Sequence, residues 1–158
     1  MFTREERSSF PYWFAHWCSY NMTALNCKAW RFKYLFHDFT KPFLRLLFKY
    51  EIVQKIHRRN HNHHPEWLEN WLRIYNDNYK VTDDIINKLL NRYDFDGTII
   101  DWECSHFTKE ASPYVAKDEF ERFTEENYFK DKYPMIYQYC YNEFCSKLSE
   151  SLGKLNLI

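Results

Sequence analysis

The sequence predicts an all-α fold, a single-domain helical bundle of about six to eight helices, and that reading rests on three observations. Apolar residues recur at helical spacing along most of the chain, from Trp13, His16, Trp17, Tyr20 and Ala24 to Ile85, Ile86, Leu89, Leu90 and Tyr93. Only Gly97 and Gly153 are glycine, so tight hairpins and phosphate-cradling glycine loops, which need positive φ, lack the residue they depend on. The 158 residues, 45% of them apolar and 21% aromatic, suit one core and leave no room for a second. The chain reads as one domain over 1–158, its core spanning about 12–150.

Each helix has its own signal. The first begins at Pro11, a favoured first-turn residue behind Ser9, and carries His16 in the middle of its apolar face. A second is expected from Asn26 as cap, through Trp30, Tyr34 and His37, to the neighbourhood of Pro42. His37 lies two turns after Trp30 and so points inward. The third fits 42–59, with Phe43, Leu46, Leu47, Tyr50, Val53, Ile56 and His57 inside and Arg58 and Arg59 at the C-terminal end. Asn60 to His64 form a polar loop, and Pro65 opens a helix over about 65–76 with Trp67, Leu68, Trp71, Leu72 and Tyr75 inside. Thr82-Asp83-Asp84 starts the next helix, and Asp94 to Gly97 end it, with Thr98 near the following N-cap. A further helix carries Ile99, Ile100, Asp101, Trp102, Glu103 and His106, and two more, about 117–130 and 134–150, complete the bundle. The tail Leu152–Ile158 is expected to be frayed or packed through its apolar residues.

Composition excludes several classes. Lys and Arg balance Asp and Glu at 22 each, and the mean hydropathy is −0.72, so the chain is neither charge-disordered nor membrane-like. No apolar run approaches a membrane span, and the charged N-terminus is unlike a signal peptide. The five cysteines include no C-x-x-C pair and read as reduced thiols in a cytosol, buried as small apolar residues. Zero net charge argues against tight non-specific duplex binding. Charge is nonetheless uneven. Residues 28–73 hold ten Lys or Arg against four acids, while 76–130 hold thirteen acids and seven bases. The basic segment favours an anionic, phosphate-bearing ligand.

Histidine is the informative residue type. All seven lie between positions 16 and 106, and His57, His61, His63 and His64 fall within eight residues. Inward His and Asp residues follow in the order His16, His37-Asp38, His57, His63-His64, Asp101, a mixture of imidazoles and carboxylates suited to a divalent transition metal. A metal so held lowers the pKa of water towards neutrality.

The order H…HD…D on separate helices resembles the HD-domain superfamily of metal-dependent phosphohydrolases. More narrowly, His37-Asp38-Phe39-Thr40-Lys41, His63-His64-Pro65-Glu66-Trp67 and Asp101-Trp102 resemble an uncharacterised HD-like family of bacteria and phages. The resemblance covers about residues 12–130. It implies that His16, His37, Asp38 and Asp101 ligate one metal, and it makes no unique choice among His57, His61, His63 and His64. The metal set is therefore His16, His37, Asp38, His63, His64 and Asp101, holding one or two divalent ions of Mn, Fe, Zn, Co, Ni or Mg. The implied reaction is hydrolysis of a small phosphorylated substrate, a nucleotide above all, by a water that the metal activates. Lys41, where many HD hydrolases carry a Glu, and Arg58 and Arg59 would hold phosphate, while His57, His63 or His64 would protonate the leaving oxygen or hold a second ion. A bacterial or virus-infected host cytosol is the implied location. The alternatives are a di-iron oxygenase of the same superfamily and a non-catalytic helical interaction protein.

One motif points elsewhere. Asp94-Phe95-Asp96-Gly97-Thr98 is similar to the D-x-D-G-T nucleophile motif of haloacid-dehalogenase-type phosphatases. The residues before it have helical spacing, and too little chain follows for a parallel sheet, so an inter-helix turn is the simpler reading.

Overall fold

The computed structural model describes residues 1–3, 6–76, 82–109, 116–126 and 129–155. The fold is all-α. Nine α-helices occur among the described residues: α1 (Phe10–Asn26), α2 (Thr40–Arg45), α3 (Tyr50–Asn60), α4 (Pro65–Asn76), α5 (Asp83–Arg92), α6 (Phe95–Thr108), α7 (Ala116–Glu126), α8 (Phe129–Lys132) and α9 (Pro134–Leu155). That exceeds the expected six to eight because α2 and α8 are one-turn fragments. The one β-type contact among the described residues is an isolated bridge, Phe2 to Lys109.

Helix α6 is the centre. Its residues from Phe95 to Ile100 are buried apart from Asp96, as are Asp101, Cys104, Ser105 and Thr108, because α1 covers one side while α7 and α9 cover the other. The larger core joins Leu68 and Leu72 of α4, Leu89 of α5 and Ile99 of α6 to Phe120 of α7 and Phe144 of α9. The Phe120 and Phe144 rings stack 4.7 Å apart. Each such side chain, taken fully from water, stabilises the fold by about 2–3 kcal/mol before the entropy of ordering it is subtracted. A smaller core of Tyr20, Ala24, Tyr34, Ile100 and Cys104 lies where α1 crosses α6, directly beneath the His/Asp residues.

The region 27–49 departs from the expected helices. Helix α1 ends at Asn26, and Lys28 takes a left-handed φ of 52° that lets Ala29 N–H reach the Ala24 carbonyl (3.0 Å) and Lys28 N–H the Leu25 carbonyl (2.9 Å). These are the bonds of a Schellman stop, made here without glycine. Asn26 caps no second helix. Phe32–Phe36 instead form a 3₁₀ helix, and Trp30 reaches the surface with its indole N–H on Asn21 Oδ1 (2.9 Å). The expected 42–59 helix is broken at 46–49. Arg45 caps the end of α2 by donating to the Phe48 carbonyl (2.9 Å), and extended Lys49 begins α3. Phe43, Leu46, Leu47 and Ile56 are consequently exposed rather than inside. The rings of Phe32, Phe36, Phe39 and Phe43 follow one another at 5.7, 6.4 and 5.3 Å as an exposed ladder.

Further along the chain the differences are smaller. Asp94, not Thr98, is the N-cap of α6, and its Oδ1 accepts from Gly97 N–H (3.3 Å). The expected 117–130 helix is divided into α7 and α8. The Tyr75 side chain, the side chains of 151–155 and residues 156–158 lie outside the described residues. No helix among the described residues is long and apolar enough to cross a membrane.

Candidate metal centre

Four pieces of backbone converge on Asp101 at the middle of α6, and each is held there for a local reason. Helix α1 supplies His16 and pins the 30–38 segment. Trp13 donates its indole N–H to the Asp38 carbonyl (3.0 Å), Trp17 to that of Leu35 (2.9 Å), and Asn21 donates to Tyr34 (3.3 Å). The His37 ring stacks flat on Tyr20 at 3.5 Å. Asp38 then adopts φ 57°, a left-handed conformation that costs a non-glycine residue on the order of 1 kcal/mol and turns its carboxylate into the cluster. Helix α3 contributes His57. The loop after it is tied to α6 twice, by Asp94 N–H donating to the Asn62 carbonyl (2.8 Å) and by Thr98 Oγ1 donating to that of His63 (2.8 Å). These bonds set His63 and His64 beside Asp101 of α6.

All six expected ligands, together with His57, are buried. His16 Nε2 lies 2.9 Å from Asp101 Oδ1, 3.4 Å from His37 Nε2 and 3.7 Å from Asp38 Oδ2. His37 Nε2 lies 3.6 Å from Asp38 Oδ2 and 3.5 Å from Asp101 Oδ1. Two ligands about 2.1 Å from a first-row ion stand about 3.0 Å apart at neighbouring octahedral corners and about 3.4 Å apart at tetrahedral ones. The separations here run from 2.9 to 3.7 Å, near these values, with the two to Asp38 the longest.

A second group shares Asp38. Its other oxygen, Oδ1, is 2.7 Å from His57 Nε2 without the angle of a hydrogen bond. Asp38, His57, His63 and His64 each present a donor atom within 4.8 Å of the others. The Nε2 atoms of His57, His63 and His64 are buried with no hydrogen-bond partner. Buried polar atoms left unpaired cost about 1–3 kcal/mol each, so the Nε2 atoms of His63 and His64 are placed to act as metal ligands. Buried His/Asp groups that could hold a metal ion are thus present, and their donor chemistry fits one.

The charge states agree with ligation. Burial alone would raise both carboxyls, but His37, Lys41 and His57 around Asp38, and His16 and His37 hydrogen-bonded to Asp101, outweigh it and hold both well below the usual carboxylate range. Burial pushes His16, His63 and His64 down, and with help from Lys41 it takes His57 to about 4. Anionic carboxylates and neutral imidazoles are the forms that bind metals.

Two cavities meet at this cluster. The larger, of about 740 Å³, reaches His16, Asp38, His64 and Asp101 and carries Lys41, Arg45, Arg58 and Lys109. The smaller, about 280 Å³, shares Arg7, Arg58, His64, Asp101 and Lys109 with it. Lys41 pairs with Asp38, and Arg58 pairs with Glu66 at 2.9 Å. Arg58 and Arg59 are both exposed at the end of α3, and of the two arginines expected to hold phosphate only Arg58 lines the cavities. His57 lies beneath Asp38 and lines neither cavity, a place for a ligand rather than for a proton donor to substrate. His61 stacks on His57 at 4.0 Å outside the three groups, and His106 is half-buried apart from them.

Sequence reasoning missed Lys109 and Arg7. Lys109 follows α6 and donates to Ser105 Oγ (2.7 Å), while Arg7 arrives with the N-terminal segment that Phe2 N–H ties to the Thr108 carbonyl (2.9 Å). Cys104 also joins the edge of the site, its Sγ 3.7 Å from His16 Nδ1. The D-x-D-G-T segment is structural: Asp94 caps α6 and binds Lys33 at 2.5 Å, with no strand before it.

The fold and site define an all-α protein with a buried His/Asp cluster able to hold metal. No protein-family model, curated protein or solved structure matches the chain.

Proposed function

We propose that this protein is a metal-dependent phosphohydrolase of the HD type, acting on a nucleotide or a related small phosphoester. The observation that carries the reading is the opening of a buried, two-group His/Asp cluster onto cavities lined by cations. His16, His37, Asp38 and Asp101 would hold one divalent ion, and Asp38, His57, His63 and His64 a second. When bound, the metal supplies Lewis acidity and a water acidic enough to act as nucleophile near neutral pH.

The chain's own groups do the rest. Arg58 and Lys109 line both cavities and hold the phosphoryl oxygens as charge builds on them, and Lys41 stands over Asp38 at the same end. Of His57, His63 and His64, His64 alone lines the cavities, so it is the member of the second ligand group that stands beside a substrate bound there. Burial keeps Asp38 and Asp101 shielded from bulk water, which strengthens their hold on a cation. The cation lining favours a phosphate-bearing substrate, and on that ground phosphoester hydrolysis ranks ahead of O₂ chemistry.

The test pairs metal analysis with turnover. Wild type, His37→Ala and Asp38→Ala are assayed for bound metal, then screened with nucleotides, cyclic dinucleotides and generic phosphoesters under added Mn, Fe, Zn, Co, Ni or Mg. Metal and phosphate release in the wild type, both lost in Asp38→Ala, is the expected result. Equal, negligible metal in all three proteins would make the cluster structural and end the proposal.

A further inference from the structure

The larger cavity is not built for a phosphate alone. Its lining brings His16, Asp38 and Asp101 of the cluster together with apolar side chains. Five of its lining side chains, Phe10, Tyr12, Trp13, Phe43 and Tyr50, are aromatic. The Phe10 and Trp13 rings lie 5.3 Å apart at 43°, and Phe43 arrives as the last rung of the exposed ladder. Phe10 is 64% exposed and Phe43 58%, so neither owes its position to the protein core. A volume of about 740 Å³ exceeds what a phosphoryl group and a few carbons would fill.

We propose that the cavity selects phosphoesters whose non-phosphoryl part is a flat aromatic body. The inference takes its anionic head from the reading given under Proposed function and adds the chemistry of the remainder. Cations at the cluster end hold the head. Aromatic walls favour a ring that can stack offset or edge-on, an attraction added to that of the area buried. Lys41, Arg45 and Arg58 on the same lining complement a negative ligand along its length. A sugar phosphate or inorganic phosphate would leave the aromatic wall wet and gain nothing from it.

Phosphonates test this apart from catalysis, because their P–C bond is not a substrate for phosphoester hydrolysis. Binding of methylphosphonate, octylphosphonate and naphthylmethylphosphonate to the purified protein is measured by calorimetry. The expected result is a naphthyl compound binding at least tenfold tighter than either of the others. Phe43→Ala, a change at an exposed position, shrinks that ratio at least fivefold, while Leu47→Ala, outside the lining, leaves it unchanged. Equal binding of the three compounds overturns the inference, and octylphosphonate binding as tightly as the naphthyl compound overturns its aromatic part. Naphthyl selectivity without turnover of any phosphoester would refute the phosphohydrolase reading and leave this inference standing. Turnover with no aromatic preference would do the reverse.

Discussion

Gly97→Ala sets two well-measured effects against each other at a single atom. Gly97 occupies the third position of α6, where replacing glycine by alanine in a helix ordinarily stabilises by about 1 kcal/mol. Here the added methyl would meet Asp94 Oδ2 at 2.6 Å, Asp94 Cγ at 2.9 Å and His63 Cβ at 3.1 Å. Asp94 cannot swing aside cheaply, since its carboxylate is buried and held by Lys33 (2.5 Å), Gly97 N–H (3.3 Å) and Tyr34 OH (3.4 Å). Overpacking of this kind costs about 1–3 kcal/mol, and losing the cap adds about 1 kcal/mol. Against the propensity gain, the net is a loss of about 1–3 kcal/mol. Urea unfolding reads it directly, and the melting temperature should fall by about 2–4 °C for each kcal/mol. The double variant with Asp94→Ala removes the obstructing carboxylate, so the two substitutions together should cost at least 1 kcal/mol less than their sum. A Gly97→Ala protein as stable as wild type, or additive with Asp94→Ala, would refute the steric argument. The His63 contact gives a second readout, a lower metal content in Gly97→Ala than in wild type.

Two further predictions concern titration and reactivity. In chelator-treated protein, the unfolded chain takes up protons at His57 near 6.5 while the folded chain resists until about 4, so stability is full above 6.5 and is lost as pH falls towards 4. His57 alone accounts for about 3 kcal/mol, with His16, His63 and His64 acting in the same direction, and a urea midpoint unchanged between pH 7.5 and 4.5 would contradict it. Cys27, Cys104 and Cys140 are fully buried, and burial pushes the Cys140 thiol up to about 12. A thiol reagent at pH 8 should therefore titrate only Cys18 and Cys145 in native protein and all five cysteines in urea, and five fast-reacting thiols without urea would refute this.

How much the sequence discloses depends on how much it repeats. The faces of α4 and α5 are legible because polar residues separate their apolar positions at 3.6 spacing. Residues 30–49 are not, because aromatic and aliphatic side chains fall on every side and no period stands out. The turn at Asp38 is invisible for a different reason: nothing in a His-Asp pair announces a left-handed backbone, which tertiary hydrogen bonds from α1 impose. His16 and Asp101 are readable because each puts a metal-binding group on a helix face that should be apolar. His37 and Asp38 lie in the turn after the 3₁₀ helix and are joined to them in the sequence only by the resemblance. Lys109 and Arg7 are not readable, because a long cation at a helix end or before a helix looks the same whether it enters a cavity or meets solvent. Arg58 and Arg59 lie about 100° apart on α3, and fixing which of them borders the cavities requires the register of α3 against α4.

The phenylalanine ladder has a consequence for handling the protein in concentrated solution. Its rungs lie in water, and the chain has no net charge at pH 7 with neutral histidines. Long-range repulsion between molecules is then weakest at the pH where most experiments are done, while greasy faces remain free to meet. Attraction between copies should accordingly be greatest near neutrality and ease as the molecule acquires charge on either side. Moving the buffer to pH 8 or above, away from the acid side where the histidines destabilise the fold, is the direction that keeps the molecules both folded and apart.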